Sequence, residues 1–377
     1  MKKIVLVPDS FKGTMSSEKI CEIMQQAIEK HYPDIEVIAI PVADGGEGTV
    51  DSFLSAIGGR KINIVVKGPY MEDTESFYGI LPDKTAIIEM AAAAGLPMVG
   101  SNKQAEKTTT YGVGQLIADA ITRGCDNIVV GLGGSATNDL GCGAAAALGV
   151  EFLDATGCSF IPTGENLSEI RHIDISKAEQ RLRGKRIITM CDIDNPLYGE
   201  HGAAYIFGPQ KGADEQKVVF LDSQLRQAAN TIKSCLQIDV ADIKGAGAAG
   251  GMGAGMVAFL GAELQMGIEA VLDTVRFDSL IDHANIIFTG EGRIDTQSLR
   301  GKVVIGVARR AKKRGIPVVA IVGDISDDIE AAYDEGVSGI FSINRVAIPM
   351  QDACKRAESD LYLTMDNILR FMKAIYS

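Results

Sequence analysis

At 377 residues, with 46% hydrophobic and 23% charged residues, the chain has the length of about two domains and the composition of a folded globular protein, which excludes a wholly disordered reading. A formal net charge of −12 argues against nucleic acid or an anionic membrane as partner, since either would repel it. Seven cysteines with no CxxC pair and four scattered histidines exclude a disulfide framework and a zinc-type site, and point to reduced, mostly buried thiols.

The N-terminus, "MKKIVLVPDS", carries an apolar run of only four residues, too short for a secretion signal, so a cytoplasmic protein is expected. That run reads as a strand over residues 4–8. A helix follows, with Ile20, Ile23, Met24, Ala27 and Ile28 on one face. Strand and helix repeat in "IEVIAIPVAD" and in the face Val50, Phe53, Leu54, Ile57, which stops at Gly58 and Gly59; "INIVVKG" then reads as a third strand. Such a βαβαβ series implies a parallel sheet.

"SFYGILPDKTAIIEMA" reads as a hairpin across Pro82, Asp83 and Lys84. The strand "NIVVGL" leads into Gly133, Gly134, Ser135, Ala136, Thr137 and Asn138, and then into a helix through "GCGAAAALG". Free N–H groups at such a helix start suit a phosphate. "RIITMC" reads as a buried strand ending at Asp192.

"GAGAAGGMGAG", residues 245–255, spells G-x-G-x-x-G through Gly245, Gly247 and Gly250, but "QIDVADIK" before it makes a poor strand and no βαβ unit follows. Close packing of the following helix "MVAFLGA" is the other reading. The 18 uncharged residues between Lys244 and Glu263 include seven glycines, too weakly apolar for a membrane span. Strand and helix grammar returns in "NIIFTGEG", in a helix with Val304, Val307, Ala308 and Ala311, and in "VVAIVGD" and "GIFSI". The cluster "RRAKKR" at 309–314 closes that helix, where cations complement its dipole.

The expected fold is therefore α/β with two α/β domains. Both chain ends, residues 1–75 and 283–377, form one doubly wound parallel-sheet domain of the flavodoxin or Rossmann kind; residues 76–282 form an inserted Gly/Ala-rich α/β domain, with an active site in the cleft between them. In open parallel sheets ligands bind beyond the carboxyl ends of strands, and those are the places where carboxylates and glycines gather here. Phosphoryl transfer needs a divalent cation, for which Asp192, Glu291 and Asp295 are the best-placed carboxylates. Asp192 is also a candidate proton acceptor, or an N-cap or Asx-turn residue. Lys12, Lys211 and Arg293 are cations beside these turns, available to a carboxylate or phosphate if they are not simply solvated.

Taken together, "PDSFKG", "PVADGGEGT", "IEMAAAAGL", "GLGGSATNDLGCG", "CDIDNPL", "FGPQKGA", "GAGAAGGMGAG" and "TGEGRIDTQS" resemble the class I glycerate kinases, in order from Lys3 to about Ser342. The resemblance implies ATP and Mg²⁺ as cosubstrate and cofactor and D-glycerate as acceptor, with 2-phospho-D-glycerate as the expected product. Arg293 or Lys12 then takes the glycerate carboxylate, and Asp9, Ser10, Asp44, Gly45, Gly46 and Glu47 border its hydroxyls. The ATP phosphates lie on Gly133, Gly134, Ser135, Thr137 and Asn138, with Gly247, Gly250, Gly251 and Lys211 nearby; Mg²⁺ is held by Asp192 with Glu291 or Asp295. Asp192, Lys12 and Arg293 are the catalytic candidates. An NAD-dependent oxidoreductase of small hydroxy acids is the alternative, a non-catalytic binding protein a third; homo-oligomerisation is left open.

Overall fold

The computed structural model describes every residue except Asp44, Gln297 and Ser377. Its strands in chain order are β1 (Lys3–Pro8), β2 (Glu36–Ala39), β3 (Arg60–Lys67), β4 (Asp73–Ile80), β5 (Thr85–Glu89), β6 (Asn127–Gly131), β7 (Glu151–Leu153), β8 (Ser159–Phe160), β9 (His172–Asp174), β10 (Arg186–Met190), β11 (Glu263–Gln265), β12 (Ile286–Ile294), β13 (Val318–Ile325) and β14 (Val337–Ser342). The chain divides into two compact units. The first comprises Met1–Ala43, Ser55–Ile57 and Ile268–Ser377, the second Asp44–Leu54 and Gly58–Gly267.

The first unit is built on a parallel sheet in the order β14-β13-β12-β1-β2. Ile4, Val5, Leu6 and Val7 are all fully buried, as a central parallel strand covered on both faces requires. The helix Ser17–His31 starts where Ser16 accepts the Lys19 N–H at 3.2 Å and stops before Pro33. It buries the face read from its spacing, Ile20, Ile23, Met24, Ala27 and Ile28, beside Leu361, Met365 and Leu369 of the long helix Met350–Tyr376. Each such side chain taken from water contributes about 1.5–3 kcal/mol. The basic helix end is neutralised within this unit: Arg309 pairs with Glu335, and Arg310 with Glu269, Asp273 and Asp278.

The second unit holds a six-stranded sheet, β11-β10-β6-β5-β4-β3, and a small sheet, β8-β7-β9. β5, β6, β10 and β11 run parallel, while β3 and β4 are antiparallel additions at one side. The hairpin expected across residues 82–84 is β4–β5. Its core includes Phe152 and Phe259, edge to face at 5.3 Å.

Two expectations are corrected here. β3 is not the third strand of the N-terminal parallel series: it pairs with β4 from Arg60↔Ile80 to Lys67↔Asp73, so residues 58–75 belong to the second unit. Residues 268–282, placed by sequence in the inserted domain, belong to the first unit, where Glu269, Asp273 and Asp278 surround Arg310. The cysteines are free, with Cys21, Cys125, Cys142 and Cys191 buried. Among the described residues no helix is long and apolar enough to cross a membrane.

Candidate active site

In the second unit, the stretch after β6 is assembled by glycines that admit another backbone. Gly133 donates its N–H to Gly45 O at 3.0 Å, and a Cβ on Gly133 would sit 2.5 Å from the Cα of Gly46. Gly45 and Gly46 are buried by this contact, whereas Gly134, in the left-handed region at φ +73°, is exposed. The loop is pinned further by Ala136 N–H to Ala94 O at 2.9 Å and by Thr108 Oγ1 to Ala136 O at 2.9 Å. Glu47 is exposed at the start of the helix Thr49–Ile57; Asp44 lies outside the described residues.

Lys211 reaches this loop from its buried side. Only 2% exposed, it donates from Nζ to Ser135 Oγ and to Thr137 O, each at 2.7 Å. Burial holds its pKa down to about 7, partly opposed by the negative charge of Asp139. Thr137 Oγ1 and both polar atoms of the Asn138 side chain are buried without a hydrogen-bond partner among the described residues. Such unmet groups cost about 1–3 kcal/mol each, so this loop is polar, prearranged and incomplete.

The helix after the loop, Cys142–Leu148, does not offer the expected bare N-terminus. Asp139, fully buried, accepts the N–H groups of Gly141 at 3.1 Å and Gly143 at 3.2 Å, and both the N–H and hydroxyl of Thr110 at 2.7 and 2.8 Å. Desolvation pushes its pKa up, and these donors oppose the shift. The helix Thr49–Ile57 is closed in the same way: Glu89, at the end of β5 and buried, accepts the Val50 N–H at 2.6 Å. Both helix starts are therefore filled by the chain's own carboxylates.

The run 245–255 is wholly buried. A Cβ on Gly250, at φ +69°, would lie 2.0 Å from Thr137 O; one on Gly247 would lie 2.3 Å from Pro196 O; one on Gly251 would meet Leu197 and Leu225. Gly247, Gly250 and Gly251, expected near the nucleotide, are thus close-packing positions, and Leu140 N–H donates to Gly250 O at 3.1 Å. No strand leads directly into the run, residues 237–244 being without one, so the context of a dinucleotide fingerprint is missing.

Asp192 follows β10 and accepts the Gly267 N–H on Oδ1 at 2.6 Å. Its side chain is exposed.

In the first unit, Asp9 follows β1 directly and Glu291 lies within the neighbouring strand β12, which runs on past the strand end expected there, with Asp9 N–H on Gly290 O at 2.8 Å. Asp9 and Ser10 are half-buried, and Ser10 N–H donates to Asp9 Oδ1 at 2.7 Å. Glu291 is 5% exposed, its Oε1 has no partner among the described residues, and burial pushes its pKa up to about 7 against the pull of Ser298 and Lys302. Asp295 and Ser298 bond each other reciprocally through backbone N–H and side chain, both at 3.2 Å. Lys12 and Arg293 are exposed; the Arg293 guanidinium donates to Ser326 Oγ at 3.2 and 3.1 Å and lies 3.6 Å from Asp324. Among the described residues no group of three or more His, Cys, Asp or Glu is arranged to hold a metal ion.

Sequence reasoning placed Lys211 near the loop 133–138, where the structure brings them together, and did not foresee the neighbouring positions of Asp9 and Glu291. It missed Asp139 and Glu89. Asp139 had a local signal, an acid just ahead of the helix "GCGAAAALG", where a capping residue belongs; the partner of Glu89 lies 39 residues away and left none.

The glycerate kinase family model matches residues 4–373. A glycerate kinase of Bacillus cereus (strain ATCC 10987 / NRS 248) is 45% identical, covering 98% of each chain, and a glycerate 2-kinase of Escherichia coli (strain K12) is 43% identical, covering 97% of each. A crystal structure from Salmonella typhimurium LT2, assigned as a glycerate kinase 2, superposes with a TM-score of 0.87 at 40% identity over 99% of this chain and 98% of the other. With a match of this extent in sequence and in structure, the chain belongs to the glycerate kinase family of enzymes.

Proposed function

We propose that the protein transfers the γ-phosphoryl group of ATP to D-glycerate in the presence of Mg²⁺, releasing ADP and 2-phospho-D-glycerate. The substrate follows from the family and from relatives named for glycerate, one of them a glycerate 2-kinase. The observation that carries the nucleotide assignment is the loop 133–138: exposed glycine backbone at Gly134, a Ser135 hydroxyl held by Lys211, and unmet polar atoms on Thr137 and Asn138. Converging backbone N–H groups and short polar side chains without bulk are what a polyphosphate needs.

For glycerate, the first unit supplies Asp9 and Ser10 as hydroxyl partners and Lys12 or Arg293 as the cation for the carboxylate. Among the carboxylates expected for Mg²⁺, Glu291 has a buried Oε1 without a partner among the described residues, which fits a cation and would favour the ionised form of that side chain. Mg²⁺, when bound, neutralises charge on phosphate oxygens. The chain's own contribution is then positioning of donor and acceptor, since the transferred group needs little help from a strong base.

The test is ADP release by the purified protein with MgATP, with and without D-glycerate. Release that depends on both glycerate and Mg²⁺ is expected; ATP left intact by saturating glycerate overturns the reading. In the same assay Asp192→Asn, which keeps the oxygen that accepts the Gly267 N–H, should lower turnover about a hundredfold at unchanged folding. Turnover near that of the parent chain would remove Asp192 from the mechanism.

A further inference from the structure

Two buried charged side chains flank the loop 133–138. Lys211 is 2% exposed and Asp139 is fully buried, yet each spends its polar atoms on the loop or on its exit. Lys211 arrives on the short 3₁₀ turn Pro209–Lys211, which ends at Gly212. Its ammonium donates to Ser135 Oγ and Thr137 O. Asp139 receives four of its bonds from Thr110, Gly141 and Gly143 and fixes the chain just past Asn138 to two helices, Tyr111–Thr122 and Cys142–Leu148.

The chemistry of these bonds decides what the loop can present. A Ser135 oxygen that accepts from an ammonium cannot turn its own O–H toward that ammonium, so the hydroxyl proton is left to donate elsewhere. A Thr137 carbonyl held by Lys211 fixes the plane of the peptide joining Thr137 to Asn138, because the peptide is planar, and so directs the Asn138 N–H to the opposite side. Both effects turn donors away from the buried lysine. Asp139 stops the loop from relaxing at its other end, and its negative charge offsets part of the cost of a buried ammonium.

The geometry points to Lys211 and Asp139 as a pair of positioning residues that preset the donors of loop 133–138, acting through Ser135 and Thr137 and touching neither nucleotide nor glycerate. This rests on the reading of the loop as the phosphate-binding element.

The test combines a mutant cycle with a labelling measurement on the unmodified protein. The parent chain is first shown to release ADP with MgATP and D-glycerate; if it does not, the proposed function fails and the positioning inference falls with it for that separate reason. Lys211→Met and Ser135→Ala, checked for folding by circular dichroism, should each lower kcat/KM for ATP about a hundredfold, the scale of a misplaced reacting group, with KM for glycerate unchanged. Because Lys211 acts through Ser135, the double variant should fall within about threefold of the worse single variant. Multiplied losses, or a Lys211→Met enzyme with the parent kcat/KM, overturn the inference. Asp139→Asn should lower kcat/KM for ATP in the same direction, and an unchanged value there removes Asp139 from the pair. Should the Lys211 variant not fold, acetylation of the parent protein by an N-hydroxysuccinimide ester, read by peptide mass spectrometry, decides: Lys211 unreactive with and without MgATP is expected, whereas a Lys211 that reacts and is protected by MgATP is a direct phosphate ligand.

Discussion

The second unit contains two glycine-rich stretches of similar appearance, residues 131–138 and residues 245–255, and the structure uses them in opposite ways. In the first, Gly131, Gly133 and Gly134 are followed by Ser135, Thr137 and Asn138, Gly134 reaches solvent, and polar atoms have no partner among the described residues. In the second, glycines alternate with alanine and methionine, every residue is buried, and the space that side chains would occupy is filled by neighbouring backbone. Glycine content alone says only that something approaches closely. The residues beside the glycines differ: hydroxyls and an amide in the one stretch, methyl groups in the other.

The largest expected effect concerns the cation behind the first stretch. Lys211 has a pKa near 7 in the folded chain against an ordinary 10.5, so between these values the unfolded chain binds the extra proton and stability rises with pH. The urea midpoint of the parent chain minus that of Lys211→Met should therefore climb from pH 7 to pH 10, by an amount on the order of 4 kcal/mol when converted to free energy. A difference independent of pH would mean that Lys211 keeps its ordinary pKa and stays charged in the folded chain. Next is the buried stretch: Gly250→Ala places a Cβ against Thr137 O at positive φ and should cost about 3 kcal/mol or more in urea denaturation. Smallest is Gly134→Ala, also at positive φ but with only the Ala91 Cβ, at 3.2 Å, in the way; about 1–2 kcal/mol is expected. Equal losses at Gly250 and Gly134 would erase the distinction between packing glycine and loop glycine.

Much of the fold was legible because its signals are local. The apolar run at residues 4–7, the face of the helix Ser17–His31 and the hairpin between β4 and β5 are patterns of period and turn chemistry within a few residues. β3 was legible as a strand but not in its partner. Its alternation of exposed Lys61, Asn63 and Val65 with less exposed Ile62, Ile64 and Val66 is that of a strand with one face open, which a central parallel strand lacks, and this was the available clue. The small sheet β7–β9 went unread because its strands are two or three residues long.

In the site, the loop 133–138 and its association with Lys211 were anticipated from composition and from resemblance. What sequence could not supply were the carboxylates that close the two helix starts. Asp139 binds Thr110, 29 residues earlier, and Glu89 binds Val50, 39 residues earlier; pairings of that range are set by topology, not by local pattern. The same holds for the exposure of Asp192, just after β10, and the burial of Glu291, within β12, both read from sequence as acids at strand ends.

The central claim, phosphoryl transfer from ATP to the 2-hydroxyl of D-glycerate, is tested most directly by a phosphorus NMR time course of the purified protein with MgATP and D-glycerate. A glycerate-dependent phosphomonoester resonance should grow as the γ-phosphate of ATP declines, at the shift of authentic 2-phospho-D-glycerate. A resonance at the shift of the 3-phosphate would contradict the assigned hydroxyl, and a spectrum in which ATP persists beside unreacted glycerate would contradict the transfer itself.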